Sequence, residues 1–101
     1  QPLGDCPVAS EADTAAAIAA AEQGFKAWAS TPAFTRADSL HRIADEMLRR
    51  TDEAARMIST ETGKPIAQSQ REWGLSIDQF RWYAAEARRI YGRIVQISPF
   101  M

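Results

Sequence analysis

The side chains of this sequence that could do chemistry are a single cysteine, a single histidine, a glycine–lysine pair and scattered carboxylates. Cys6 would act as a nucleophile only with its thiolate favoured by a helix amino terminus or a cationic neighbour. The stretch between Pro2 and Pro7 offers neither, so Cys6 reads as a small, inert residue. His41 as a general base lacks a Ser, Cys or acid in a recognisable motif beside it and reads as an exposed or packing residue near a helix start. Gly63 and Lys64 lack the upstream glycine and the following Ser or Thr of a phosphate loop. Their expected role is to end a helix. Glu61, Glu72 and Asp78 could be imagined as an acid–base pair, yet only Glu72 and Asp78 share a helical face, and imperfectly. Solvated or ion-paired faces account for them. Arg88, Arg89 and Arg93 cluster near a helix end, where cations suit the negative end of the dipole. One Cys, one His and dispersed acids supply no obvious metal set, and a lone Cys forms no internal disulfide.

The elements that would position these groups are those of one small unit. The chain has 101 residues, 46% hydrophobic and 25% charged, an ordinary globular composition. Its 12 basic and 13 acidic residues, net −1, are mixed along the chain, so no one-signed field favours nucleic acid or anionic lipid. No apolar run approaches the roughly 20 residues of a membrane span, and no basic stretch followed by an apolar run stands at the start of this sequence. A cytoplasmic location is the expectation. The start at Gln1 without an initiator Met, and the stop at Met101 just after a strand-like run, read as an excerpt of something longer.

Gln1 to Ala9, punctuated by Pro2, Gly4 and Pro7, reads as an edge strand or extended arm in need of a neighbour. Ser10 and Asp13 carry the capping logic of a helix start. The stripe Ala15, Ile18, Ala21, Phe25 and Trp28 follows, and Ser30 to Pro32 end the helix. Thr35 with Asp38 repeats the start signal for a second helix, striped by Leu40, Ile43, Ala44, Met47 and Leu48. On its outer face Asp45 to Arg49 and Glu46 to Arg50 are expected ion pairs. Thr51 and Asp52 mark a kink or fresh cap, with helix on both sides. Gly63 supplies a left-handed cap, and Pro65 fits the first turn of a third helix. That helix carries Ile66, Trp73, Ile77, Phe80, Ala84, Ala87 and Tyr91 on one face until Gly92. Arg93 to Ile97, rich in β-branched residues, reads as a strand.

The run Glu61, Thr62, Gly63, Lys64, Pro65, preceded by Arg36, Ala37, Asp38 and Leu40, resembles the aldehyde dehydrogenase superfamily. The rest of the family's early pattern stands in the same order: a strand, an alanine-rich helix ending in Phe25 and Trp28, and a helix closing on Tyr91 and Gly92. Together these pieces span nearly the whole chain. Within that superfamily, Phe80 to Gly92 looks like the corresponding stretch in succinate-semialdehyde dehydrogenases.

The resemblance implies the amino-terminal helical part, residues 1–101, of an incomplete cofactor-binding domain. The whole enzyme would oxidise an aldehyde, succinic semialdehyde in the narrower match, to a carboxylic acid. A cysteine thiolate attacks the carbonyl, hydride passes to NAD or NADP, and a glutamate activates the water that hydrolyses the thioester. The family's nucleophile, its general base, its oxyanion-stabilising Asn and its glycine loop lie downstream, so no catalytic or cofactor-binding residue is expected here and the piece alone should be inactive. The early third helix would lie near the mouth of the aldehyde tunnel, making Leu75 and Arg71, one turn apart, candidates to line it; Arg71 could attract a substrate carboxylate. The expected fold is mainly α: three helices, the second open to a break, with short terminal strands, beside a Rossmann-type domain of the parent α/β enzyme. A homo-oligomer without nucleic-acid or membrane partners is expected. The rival reading is a helical interaction or oligomerisation module without catalytic activity, whose aromatic stripe binds a partner.

Overall fold

In the computed structural model, which describes residues 3–92, Ser10 and Asp13 start the first helix, α1 (Glu11–Ser30), by a reciprocal capping box. The Asp13 N–H donates to Ser10 Oγ at 3.2 Å, and the Ser10 N–H donates to Asp13 Oδ2 at 2.9 Å. The Ser10 backbone N–H, and after it the Ser10 hydroxyl, hold the Asp13 carboxyl below the usual aspartate range.

Three further helices follow, α2 (Ala33–Arg49), α3 (Thr51–Thr62) and α4 (Ile66–Ala87). Four helices therefore replace the expected three, because the second pattern divides into two separate elements. The break falls at Arg50, φ −100° and ψ 17°, which ends α2 and begins α3. Neither glycine nor proline stands there; instead the loose carbonyls find partners. The Arg50 N–H donates to Glu46 O at 3.1 Å and Met47 O at 3.2 Å, and Thr51 Oγ1 donates to Leu48 O at 2.7 Å.

No strand forms among the described residues, which corrects the terminal arm before α1. A strand needs a ladder partner, and Leu3 and Val8 stay 66% and 94% exposed with none beside them. The strand expected at 93–97 lies outside the described residues, as does Arg93. The start of α2 also differs. Thr35 and Asp38 lie inside the helix, which begins at Ala33 behind Pro32, whose carbonyl accepts from the Arg36 N–H at 3.0 Å. The proline's restricted φ starts the turn without a side-chain cap. The Arg36 guanidinium donates back to Thr31 O at 2.9 Å, tying α2 to the end of α1.

At its far end α4 stops at Ala87, short of Tyr91 and Gly92. Arg88 and Arg89 donate to the carbonyls three residues earlier at 3.3 and 2.8 Å, a tightened last turn. Tyr91, 90% exposed, finds nothing to bury it among the described residues.

α4 packs on both α2 and α3. Its run against α2 is antiparallel. Arg88 meets Asp38 at 3.1 Å, Arg81 meets Asp45 at 3.8 Å, and Trp73 reaches Met47. The buried side chains are small: Ala37 and Ala44 of α2, Ala55 of α3, Ser69, Ala84 and Ala87 of α4, with Ile77 the largest. Such residues let helices approach closely but bury little apolar area. α1 has no buried residue, and Ile18 (66%), Phe25 (69%) and Trp28 (45%) remain exposed along its stripe. The Cα radius of gyration, 20.2 Å, compares with about 13 Å for a compact 100-residue domain.

The expected ion pairs shift with the break. Glu46 pairs with Arg49 at 2.5 Å rather than with Arg50, whose guanidinium turns forward to Glu53 at 2.8 Å, while Asp45 faces Arg81. Hydrogen bonds from these arginines hold both glutamates below the usual carboxylate range. No helix among the described residues is long and apolar enough to cross a membrane.

Candidate functional site

The turn between α3 and α4 orients the face that carries the candidate residues. Gly63 takes the left-handed conformation, φ 73° and ψ 6°, and its N–H donates to Ser59 O at 2.8 Å, closing α3. Pro65 then occupies the position before the first turn of α4, φ −58°. Lys64 does not await a phosphate: its ammonium is paired with the Glu72 carboxylate two turns into α4.

From this start α4 divides into two faces. Inward lie Ser69, Trp73, Ile77, Ala84 and Ala87. Ser69 shares a hydrogen bond of 2.8 Å with Ser59, and the Trp73 indole N–H donates to Met47 O at 2.8 Å. On the opposite face, spaced by four, three and four positions, fall Arg71, Leu75, Asp78 and Trp82, all exposed. Leu75 is 58% and Trp82 65% exposed. Arg71 and Leu75 are thus neighbours one turn apart on a bare stripe, and Arg71 makes no ion pair with any described residue. The stripe carries a guanidinium with exposed Leu75 one turn on and the Asp78 carboxylate beyond it.

The other candidates stay apart. Cys6 is exposed in the arm before α1, and His41 is exposed on α2. Glu72 is engaged by Lys64, Glu61 sits at the end of α3 and Asp78 on the outward stripe, so no acid–base pair assembles. Among the described residues no group of His, Cys, Asp or Glu could hold a metal. Of the arginine cluster, Arg88 joins Asp38 and stands 5.0 Å over the Phe34 ring, and Arg89 pairs with Glu86.

Sequence reasoning missed a groove of about 230 Å³ where α2, α3 and α4 meet, with Met47, Met57, Ile58 and Trp73 along its walls and Arg50 on its rim. Those residues belong to three separate stripes, and only the break at Arg50 folds α2 and α3 around Trp73.

A family model described as the aldehyde dehydrogenase family matches residues 1–100. The chain is 34% identical over 95 residues to a 4-(hydroxymethyl)benzenesulfonate dehydrogenase of Comamonas testosteroni, covering 94% of this chain and 20% of the relative. It is 37% identical over 90 residues to the glutarate-semialdehyde dehydrogenase of Pseudomonas aeruginosa, covering 89% of this chain and 19% of the relative. Against the NADP(+) succinate-semialdehyde dehydrogenase of Escherichia coli it is 36% identical over 90 residues, 89% of this chain and 19% of the relative. The chain spans about a fifth of the length of the curated relatives it matches. No solved structure matches it at a significant level.

Proposed function

Because the chain belongs to the aldehyde dehydrogenase family, we propose that it is the amino-terminal helical part of an enzyme that oxidises an aldehyde to a carboxylic acid with NAD or NADP. The match over residues 1–100 carries this reading. The bare stripe of α1 and the open arrangement of the helices support it, since both fit a piece that lies against a larger body. Homo-oligomeric assembly belongs to the same proposal.

The described residues do not fit a nicotinamide dinucleotide. Such a ligand sits where a glycine-rich turn leads from a strand into a helix, whereas Gly24 and Gly74 lie inside helices and Gly63 caps α3. No step of the reaction is therefore assigned to these residues, and the cofactor would be held by another part of the enzyme.

The substrate side is where this segment contributes. The proposed substrate is a semialdehyde bearing a far carboxylate, such as succinic semialdehyde; the names of two relatives describe enzymes of that class. Arg71 would draw the carboxylate towards the entrance, and Leu75 would lie along the carbon chain.

The test is reduction of NAD or NADP by the complete protein supplied with succinic semialdehyde. Well-folded complete protein that forms no reduced nucleotide with any aldehyde would remove the reading. For the residue assignment, Arg71→Ala in that protein should raise KM for the semialdehyde more than for an uncharged aldehyde of equal length. Equal KM values before and after substitution would dismiss Arg71.

A further inference from the structure

Two hydrogen bonds fasten consecutive turns of α4 to two different helices. Ser69, fully buried, is joined to Ser59 of α3 at 2.8 Å. One turn later the Trp73 indole N–H is joined to the Met47 carbonyl of α2 at 2.8 Å. Around them the interface is built largely of alanine, with Ala37, Ala44, Ala55 and Ala84 fully buried. Methyl groups permit close approach and form only low ridges, so beyond the buried Ile77 the rotation or sliding of α4 is left to be limited by other contacts. Directional hydrogen bonds supply what that packing lacks. The other ties of α4, Lys64 to Glu72, Arg81 to Asp45 and Arg88 to Asp38, are exposed on their acid side and constrain less.

Arg71 lies between the two anchors in sequence and on the opposite face, with Leu75 the next outward residue one turn on. A helix advances about 100° per residue, so a modest rotation of α4 would swing both side chains away from their present direction. We infer that Ser69 and Trp73 are positioning residues: by pinning the rotation of α4 to α3 and α2, they fix the direction in which Arg71 and Leu75 project and so set the preference for an aldehyde bearing a carboxylate. This rests on the reading in which Arg71 meets that carboxylate.

The experiment compares Trp73→Phe, and the paired variant Ser59→Ala with Ser69→Ala, in the complete enzyme. Trp73→Phe keeps a ring but removes the donor, and the paired variant removes the tie without stranding a hydroxyl. Each is assayed with a carboxylate-bearing aldehyde and an uncharged one of equal length, alone and combined with Arg71→Ala. The expected result is a KM for the charged aldehyde raised by roughly threefold to tenfold, with kcat and the KM for the uncharged aldehyde little changed. In the Arg71→Ala background neither variant should change KM further.

If Arg71→Ala raises that KM while both other variants leave it alone, the positioning role fails and the substrate reading stands. If the variants raise KM for both aldehydes equally, or act undiminished without Arg71, their role is structural and the inference is overturned. If Arg71→Ala itself does nothing, the substrate reading falls and takes the inference with it.

Discussion

The indole N–H of Trp73 donates to the backbone carbonyl of Met47 at 2.8 Å, 26 positions away in sequence, at the place where α2 gives way to α3. That carbonyl also accepts the Arg50 N–H at 3.2 Å, so the indole shares the task of satisfying a helix end left open by the break. Trp73→Phe should therefore cost only about 1 kcal/mol, the net worth of one hydrogen bond. Trp73→Ala, which also empties the wall of the groove, should cost about 3 kcal/mol. Urea midpoints read by circular dichroism distinguish the two; identical shifts would show that the donor contributes nothing beyond the ring.

At Gly63 the backbone stands at φ 73°, and a Cβ there would meet nothing within 4 Å. The cost of a side chain is thus conformational rather than steric crowding by neighbours. Gly63→Val should destabilise by about 1–2 kcal/mol, and Gly63→Asn by clearly less, because Asn tolerates the left-handed region. Equal losses for the two, measured by the same denaturation, would contradict this account.

Asp13, Glu46 and Glu53 all have folded-state pKa values below their ordinary ones, the first through Ser10 and the others through Arg49 and Arg50. A depressed carboxyl pKa gives stabilisation that is fully present above the unfolded value and is lost as pH falls through the folded value. The window accordingly lies below about pH 4. Because these groups are exposed, the expected effect is local: the protection of amides at the start of α1, taken relative to the intrinsic exchange rate at each pH, should fall as the solution is acidified through that range. Asp13→Asn should show fast exchange there already at neutral pH, and a pH response at that end unchanged in this variant would argue against the cap.

Phe25 is 69% exposed on a helix with no buried residue. Substituting Phe25→Ala in the isolated chain should change stability by less than about 0.5 kcal/mol, as at an ordinary surface site. In the complete enzyme the same change should cost about 3 kcal/mol if the stripe is covered there. A small loss in both settings would mean that the rest of the protein does not lie on this face.

Much of the local architecture is legible in the sequence. Ser10 with Asp13, Thr31 with Pro32, and Gly63 with Pro65 each announce a helix boundary through chemistry confined to a few adjacent residues, and each stands where that chemistry places it. The opposed faces of α4 follow from periodicity, which is why Arg71 and Leu75 fall together. The break lies at Arg50, a residue or two before the Thr51 and Asp52 that the pattern marks, and its open carbonyls are met both locally, by Thr51 Oγ1, and from a distant helix, by Trp73. Thr35 and Asp38 imitate a cap that Pro32 makes unnecessary, so α2 starts earlier than their spacing suggests. The proline-rich arm has the composition of an edge strand, but strand formation depends on a partner, and none stands beside the described part of it.

The sequence by itself determined where α1 starts and ends, where α3 gives way to α4, which face of each helix is apolar, and the family to which the ordered motifs point, because all of these are written in contiguous residues. Only the tertiary structure decided that Trp73 would reach Met47, that Arg88 would cross 50 positions to Asp38, and that the aromatic stripe of α1 would remain bare. An amphipathic pattern specifies a face that seeks cover; what covers it is settled by packing between segments that the pattern does not relate.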